Sequence, residues 1–285
     1  MTLLSVINTM KAAVYVKFDK HRADPRFSKM LESLSEKGIE HYDIYTRADI
    51  QMDTDVVLSV GGDGTFLSAA KRVGDTGIPV LGVNLGHLGF LSENSPEDIA
   101  DALVSGSYVT EDRALLETRV SGSGASQMGD FYPYSLNEVS VHRVGAAMLG
   151  VDVTVDGDPI PTYWADGLLI ATSSGSTAYS LSVGGPICMP DSRVLVIAPI
   201  APHNLNLRPL VVPDNVSISI SVRSRDANVM VTMDNRNFTV GNDLKLSVSL
   251  AQFSLKRFRL GKTNFIKALT TKLFWGEDVR NGDGQ

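Results

Sequence analysis

Residues 56–73 read VVLSVGGDGTFLSAAKRV, and this stretch decides the fold. Val56 to Val60 form a short apolar run typical of a buried strand, and Gly61 to Thr65 form a glycine-rich loop. The segment that follows has helical character through Val73. A strand that leads through such a loop into a helix is the repeating unit of α/β proteins. Open α/β sheets bind ligands at the carboxyl ends of their strands, so this loop is the predicted ligand site.

Asp63 is the unusual residue of the loop. The glycines around it let the backbone approach a ligand closely, and the start of the following helix favours phosphate. A carboxylate in the middle of the loop repels phosphate, so the charge of Asp63 fits a role toward a hydroxyl or a metal ion instead. The alternative is a tight turn in which Asp63 only caps the helix. The loop alone does not decide between the two.

The residues before Leu115 alternate between strand and helix patterns. Further strands are predicted over Ala12 to Val16, Ile39 to Ile44 and Pro79 to Val83, and helices are predicted from Pro25 and from about Ser95. Alternation of this kind predicts parallel strands with helices on both faces of the sheet. A second glycine-rich stretch, Gly82 to Phe90, ends the strand that follows the Asp63 loop. We therefore expect the two loops to lie at adjacent strand ends and to form one site.

From Leu115 the sequence changes to short β-type runs with almost no helical spacing. These runs are Leu116 to Val120, Glu138 to His142, Leu149 to Val155, Leu168 to Ala171, Val194 to Pro199, Val216 to Val222, Val229 to Met233 and Leu244 to Leu250. Helical spacing returns in Asn264 to Phe274, which is expected to pack back on the first domain. The predicted fold is an α/β domain with a parallel sheet, residues 1–114 joined by 258–285, and a β-rich domain, residues 115–257.

The composition excludes several classes of protein. The chain has 285 residues, of which 43% are hydrophobic, and its formal net charge of −6 argues against a general nucleic-acid binder. A single cysteine, Cys188, and five scattered histidines give no zinc-binding pattern. No apolar run has the length of a membrane span, and Met1 to Thr9 does not resemble a signal peptide. We expect a cytoplasmic enzyme without a membrane or nucleic-acid partner.

Two nucleotide-binding motifs are excluded by their context. The turn after the first strand is Lys17-Phe18-Asp19-Lys20, so the dinucleotide fingerprint G-x-G-x-x-G is absent there. Gly261-Lys262-Thr263 imitates the end of a P-loop, but Lys256 occupies the position of the leading glycine. The Asp63 loop is left as the main candidate for phosphoryl chemistry.

A second group of polar residues lies in the β-rich domain. Asn137 and Glu138 begin one strand, and Asp166 precedes another that leads into the hydroxyl-rich stretch Thr172 to Ser182. Such a stretch can be a solvated loop with a helix cap, and an isolated tyrosine such as Tyr179 is more often a core residue than a stacking platform. Hydroxyls, an amide and two carboxylates nevertheless suit the ribose and base edges of a ligand better than its phosphates.

Taken together, the motifs resemble the NAD kinase family (ATP/polyphosphate-dependent NAD kinases). The matches run in order along nearly the whole chain: G-G-D-G-T at 61–65, N-L-G at 84–86, N-E at 137–138, D-G at 166–167, G-S-T-A-Y-S at 175–180, G-G-P at 184–186 and R-P-L-V at 208–211. The wider superfamily, which includes diacylglycerol and sphingosine kinases and phosphofructokinases, shares only the G-G-D-G element.

The resemblance implies that NAD binds in a cleft and is phosphorylated by ATP, or by polyphosphate, at the 2′-hydroxyl of its adenosine ribose to give NADP. Asp63 would accept the proton, with Gly64 beside it and Mg²⁺ or another divalent metal on the donor phosphates. The residues implied to hold the dinucleotide are Asn137, Glu138, Asp166, Thr177, Ala178, Tyr179, Ser180, Leu181, Ser182 and Ala201, the last at the nicotinamide end. Homotetramers or homodimers whose subunits complete each other's sites are also implied.

Four positions depart from the family pattern. Ser68 and Trp164 stand where many relatives have a basic residue, Ser173-Ser174 replaces Pro-Thr, and Asp234-Asn235-Arg236 replaces a D-G-Q type of turn. These departures concern individual NAD and donor contacts rather than the reaction. Two alternatives are kept: a lipid kinase of the same superfamily, and a dinucleotide-binding protein without catalysis. Neither an apolar lipid pocket nor a basic membrane face is suggested by the sequence, and the presence of Asp63 favours catalysis.

Overall fold

The structure is a computed structural model that describes residues 10–86, 89–122, 127–129, 131–261 and 264–275. The first nine residues, His87 of the second glycine-rich stretch, and Lys262 and Thr263 of the P-loop-like sequence lie outside the described residues. By compactness the chain divides into two units, residues 1–111 with 256–285 and residues 112–255.

The first unit is built on a six-stranded sheet in the order β2-β1-β3-β4-β18-β5. Its strands are β1 (Lys11–Val16), β2 (Glu40–Asp43), β3 (Val56–Val60), β4 (Val80–Val83), β5 (Tyr108–Arg113) and β18 (Leu255–Leu260). The pairs from β2 through β18 are parallel, with Val60 opposite Val83 at the carboxyl ends of β3 and β4. The glycine-rich segments that follow β3 and β4 therefore begin side by side.

The helices of the first unit are α1 (Asp19–Arg22), α2 (Pro25–Glu36), α3 (Asp63–Val73), α4 (Pro96–Ser105) and α6 (Phe265–Leu273), and a 3₁₀ turn covers Arg47–Asp49. The start of α2 follows from its sequence, because Asp24 accepts a hydrogen bond from the backbone of Arg26 and Pro25 occupies the first turn. The apolar faces of α2 and α4 join the strands in one core, represented by Leu34, Leu58 and Ile99. The expected C-terminal helix is present in this unit as α6.

The second unit contains two antiparallel sheets of six strands each, in the orders β10-β9-β14-β17-β6-β7 and β13-β12-β11-β8-β15-β16. The strands of the first of these are β6 (Leu116–Ser121), β7 (Tyr134–Ser135), β9 (Leu149–Val155), β10 (Asp158–Ala165), β14 (Ile218–Arg223) and β17 (Lys245–Leu250). The strands of the second are β8 (Glu138–Arg143), β11 (Gly167–Thr172), β12 (Val194–Ile200), β13 (Leu210–Pro213), β15 (Asn228–Met233) and β16 (Arg236–Gly241). A 3₁₀ turn (Ser174–Thr177) and the short helix α5 (Tyr179–Ser182) follow β11.

Alternating apolar side chains of the two sheets meet in one core. Val151 and Ile218 from one sheet and Val141, Leu168 and Ile170 from the other are fully buried members of it. This is the arrangement that strands of period two require when each sheet buries one face. The predicted fold class, an α/β part with a parallel sheet and a β-rich part, is confirmed.

Candidate functional site

The loop that follows β3 has the backbone that its glycines predict. Gly61 has φ +144°, and a Cβ at this position would stand 2.5 Å from the hydroxyl of Thr65, so a side chain is excluded. Gly62 is the extended residue before α3, and Asp63 is the first residue of the helix. The carboxylate of Asp63 therefore projects from a helix start at the carboxyl end of a central parallel strand.

The side chain of Asp63 is held by residues 90–92, at and just beyond the end of the second glycine-rich stretch, and not by its own helix. Its Oδ2 accepts a hydrogen bond from the backbone N–H of Phe90 at 2.8 Å, and its Oδ1 accepts from Leu91 and Ser92 at 3.0 and 2.9 Å. The alternative in which Asp63 only caps its helix does not describe this geometry. A carboxylate offers about four acceptor positions, so Oδ2 retains capacity for a further donor such as a ligand hydroxyl.

A cation of the C-terminal helix lies beside this segment. The ammonium of Lys272 lies 4.4 Å from the centre of the Phe90 ring, and Phe265 of the same helix lies 6.1 Å from that ring. The pKa of Lys272 lies below its usual value, chiefly because of burial, with Arg257 adding to the effect and the carboxylates of Glu93 and Asp63 opposing it. The nitrogen of Lys272 is buried without a hydrogen-bond partner. A basic side chain thus lies close to Asp63 in a protein that is acidic overall.

The donor set does not form a protein cage for a metal ion. Within the described part of the chain, no three His, Cys, Asp or Glu side chains gather closely enough to hold one. Mg²⁺ in proteins commonly uses one or two carboxylates together with substrate phosphates and water. Asp63, the one carboxylate in the loop after β3, fits a cation of that kind.

In the second unit, Asn137 and Glu138 are packed against the turn after β11. The carbonyl of Asn137 accepts a hydrogen bond from the backbone of Thr172 at 2.9 Å, and the Thr172 hydroxyl donates to Leu136 at 2.6 Å. Gly175 fits here because a Cβ would overlap the Asn137 carbonyl. The N-E motif and the G-S-T-A-Y-S motif are therefore neighbours in space.

Glu138 is a buried carboxyl group with unusual electrostatics. Burial, and then the nearby carboxylate of Asp234, raise the pKa of Glu138 to about 8, and a backbone hydrogen bond from Tyr179 opposes the rise only in part. Its Oε2 is buried without a partner. At neutral pH this group is largely a neutral carboxylic acid, which can both donate and accept a hydrogen bond.

Asp234 supports the backbone on which Glu138 stands. Its carboxylate accepts hydrogen bonds from the backbone of Leu136, Asn137 and Glu138 at 3.0, 2.9 and 3.3 Å. Burial raises the pKa of Asp234, while those hydrogen bonds and Arg236 lower it. The turn at Asp234-Asn235-Arg236, which departs from the family pattern, thus fixes the backbone of the N-E motif.

Tyr179 forms a stacked pair with a histidine that the sequence did not single out. The rings of Tyr179 and His142 are 5.9 Å apart and inclined by 18°. The hydroxyl of Ser140 lies 2.8 Å from Nε2 of His142, and burial lowers the pKa of this histidine. Burial also raises the pKa of Tyr179, with the carboxyl groups of Glu138 and Asp166 adding to the effect. The ring of Tyr179 is therefore half-exposed and is supported by the ring of His142.

Asp166 lies between β10 and β11 and is paired with Arg143. The guanidinium donates to the two carboxylate oxygens at 2.6 and 3.3 Å, and this pairing, with a weaker contribution from His203, keeps the pKa of Asp166 below its usual value. The backbone N–H of Asp166 donates to Ile200, the residue before Ala201. Ala201 is exposed and has φ +46°, an uncommon conformation for a residue with a Cβ.

The remaining predicted residues lie in the turn and helix after β11. Thr177, Ala178 and Leu181 are half-buried, Ser182 is exposed, and Ser180 is fully buried with its hydroxyl unpartnered. The structure thus brings Glu138, Tyr179 and Asp166 into one electrostatic neighbourhood on the second unit, and it places Asp63 and Gly64 on the first.

Comparison with known proteins identifies the family. Models of the ATP-NAD kinase N-terminal and C-terminal domains match residues 6–107 and 136–260. The NAD kinase of Bacteroides fragilis is 38% identical over 277 residues, 94% of this chain and 93% of its own, and that of Flavobacterium psychrophilum is 36% identical over 95% and 100%. The chain belongs to the NAD kinase family.

Solved structures of family members share the fold. Yeast NADH kinase, solved with NADH, has a TM-score of 0.81 at 21% identity over 96% of this chain and 89% of its own. An NAD kinase from Archaeoglobus fulgidus, solved with ATP, has a TM-score of 0.73 at 27% identity over 89% and 95%. The family resemblance, the NAD kinase function and the phosphotransferase class expected from the sequence are confirmed. Among the described residues, no helix is both long and apolar enough to cross a membrane.

Several functional neighbours were missed by sequence reasoning. Local sequence patterns give no signal for His142, Arg143, His203 or Arg257. Only the fold places the first three beside Tyr179 or Asp166, and Arg257 beside the segment that binds Asp63. Asp234 lies in the turn that departs from the NAD kinase pattern, and the aspartate of that turn is the sequence signal that points to it. Their contacts connect positions far apart in the chain.

Proposed function

We propose that this NAD kinase transfers the terminal phosphoryl group of ATP to the 2′-hydroxyl of the adenosine ribose of NAD, with Asp63 as the proton acceptor. One observation carries this role. The Asp63 carboxylate is oriented by three backbone N–H groups, and its Oδ2 still has room to accept a hydrogen bond. A ribose hydroxyl is a poor nucleophile, and a nearby fixed acceptor takes its proton as the phosphoryl group moves.

The rest of the proposed reaction is positioning and charge stabilisation. The donor phosphates are assigned to the start of α3, where backbone N–H groups and the helix dipole favour anions. Mg²⁺ on those phosphates would neutralise developing charge. Lys272 adds a basic group near the same carboxylate, and in its protonated form it would offset part of the repulsion between an acidic protein and a phosphorylated donor.

The dinucleotide is assigned to the group on the second unit. Tyr179 offers a ring for stacking, and the neutral acid of Glu138 can donate a hydrogen bond to a ribose or base acceptor. The ionised carboxylate of Asp166 can accept from ribose hydroxyls or an amide group. Asn137 and the stretch Thr177 to Ser182 complete the proposed NAD contacts, and Ala201 is assigned to the nicotinamide end.

The assay that tests the reaction uses the purified chain with ATP, Mg²⁺ and NAD, and couples NADP formation to an NADP-specific dehydrogenase. Asp63→Asn removes the acceptor charge with little change in shape, and turnover should fall by about 10²–10⁴ while NAD binding survives. Asp75→Asn is the matched control, because Asp75 is exposed beyond the other end of α3. Unchanged turnover of Asp63→Asn would contradict the role of Asp63. Absence of NADP formation by the native chain would contradict the reaction.

Other expectations belong to the same proposal. The chain is expected to work in the cytoplasm as a homotetramer or homodimer, with ATP or polyphosphate as donor and a divalent metal required. Removal of the metal with a chelator should abolish turnover, and its return should restore it. Light scattering on the purified protein measures the assembly, and replacing ATP by polyphosphate in the coupled assay measures donor choice.

A further inference from the structure

The segment that holds Asp63 is itself held from β18, by a residue remote in sequence. Arg257 is 2% exposed, and its Nη2 donates to the carbonyl of Leu91 at 3.3 Å and to the carboxylate of Glu93 at 2.5 Å. The backbone N–H of Leu91 donates to Oδ1 of Asp63 at 3.0 Å. Two hydrogen bonds therefore connect the Arg257 guanidinium to the Asp63 carboxylate through a single peptide residue.

The same segment is tied to β4 on its other side. The side chain of Asn84 donates to the Ser92 carbonyl at 3.2 Å, and the side chain of Asn94 donates to the Gly82 carbonyl at 2.8 Å. A Cβ at Gly82 would overlap the Leu91 carbonyl, so the two backbones are as close as they can be. The segment is thus held by β4 on one side and by Arg257 on the other.

Packing alone does not explain a buried arginine at position 257. Its guanidinium is buried with a second ion pair, from Nη1 to Glu111 at 3.2 Å, and its Nε is buried with no partner. A buried ion pair often stabilises a fold no better than apolar residues of the same size, and an unpartnered buried donor lowers stability. The forked guanidinium does one thing that an apolar side chain cannot: it fixes a carbonyl and a carboxylate of the segment at once.

We propose that Arg257 is a positioning residue for phosphoryl transfer, which sets the Asp63 carboxylate through Leu91 and Glu93. This inference rests on the proposed role of Asp63 as proton acceptor. If the Asp63 carboxylate is displaced by a fraction of an ångström, both substrates still bind equally well in the ground state. The carboxylate then meets the ribose hydroxyl in a poorer geometry. The effect belongs in kcat and not in the affinity for either substrate.

The test is Arg257→Lys, which keeps the charge and loses the fork. Turnover should fall by about tenfold to a hundredfold, while KM for NAD and ATP changes by less than about twofold. Glu111→Gln is the matched control, because it weakens another ion pair of the same guanidinium without touching Leu91 or Glu93, and it should leave kcat within about twofold. The proposal is overturned if the folded Arg257→Lys protein has an unchanged kcat, or if only its KM for the substrates is affected.

A double variant separates this proposal from the role of Asp63. If Arg257 acts through Asp63, Arg257→Lys should cause no further loss in the residual activity of Asp63→Asn. Equal losses in both backgrounds would show that Arg257 acts elsewhere. Failure of Asp63→Asn to lower turnover would instead contradict the proposed function. Should Arg257→Lys not fold, Glu93→Gln tests the same connection, with an expected loss of several-fold in kcat and none in KM.

Discussion

Gly89 lies against the carboxylate of Asp63, so that a Cβ at position 89 would overlap Oδ1. The same residue donates its backbone N–H to the carbonyl of Ser92 at 2.9 Å, which closes the turn whose N–H groups bind Asp63. A glycine is needed here because the side chain of Asp63 lies too close for a Cβ. Residues 89–92 are thus shaped around one carboxylate.

Gly89→Ala is expected to push the Asp63 carboxylate out of its three hydrogen bonds. Turnover should fall at least about tenfold, because the proton acceptor is misplaced, while NAD affinity stays within about twofold. Gly261→Ala is the control, because the nearest atom to its Cβ would be 4.0 Å away. Steady-state kinetics of the two variants measure the difference. Equal kcat values would mean that the position of this carboxylate does not matter.

Glu138→Gln is expected to change how stability depends on pH. The pKa of Glu138 is about 8 in the folded protein against 4.5 unfolded, so the folded state binds the proton more tightly. Its stabilising contribution is complete below pH 4.5 and is lost as pH rises toward 8, at up to about 1.4 kcal/mol per pH unit. Glutamine does not titrate, so the variant should gain stability relative to the native chain over this interval.

Urea unfolding at several pH values between those limits, followed by tryptophan fluorescence, measures this effect. Asp158→Asn, an exposed position on β10 of the same unit, is the control and should follow the native pH dependence. Parallel pH curves for Glu138→Gln and the native chain would show that Glu138 ionises normally.

Tyr179→Ala is expected to weaken NAD binding, because the stacking surface is lost. The loss should be about threefold to tenfold in Kd, the range typical of one aromatic stack. Tyr179→Phe keeps the ring and serves as the matched control, and it should bind within about twofold of the native chain. His142→Ala removes the ring that supports Tyr179 and should give a smaller loss. Isothermal titration with NAD distinguishes the variants, and an unchanged Kd for Tyr179→Ala contradicts the stacking role.

The sequence predicted those features that depend on local pattern. The Asp63 loop was identified because strand, glycines and helix follow one another within eighteen residues, and the β-rich unit because its strands alternate. The sequence could not predict which residues distant in the chain contact each other. Arg257 and Leu91 are 166 residues apart, and Arg143 reaches Asp166 from the neighbouring strand β8. Such contacts depend on strand order and register, and the period of a strand carries no information about its neighbour.

Arg236→Met is expected to destabilise the second unit more than any exposed substitution. The guanidinium of Arg236 donates to the carbonyls of Tyr134 at 2.6 Å and Met233 at 3.1 Å, with a further bond at 2.5 Å to Tyr132. Its charge also opposes the rise that burial causes in the pKa of Asp234, which holds the backbone of Asn137 and Glu138. Methionine fills similar volume but leaves these carbonyls without donors and the carboxylate without a countercharge. The unfolding free energy should fall by about 3–5 kcal/mol.

Arg225→Met, at an exposed loop position, is the control and should change the unfolding free energy by less than about 0.5 kcal/mol. Urea unfolding of both proteins provides the measurement, and NAD titration should show weaker binding for Arg236→Met alone. Equal stability of the two variants would mean that the Arg236 contacts do not support the N-E motif.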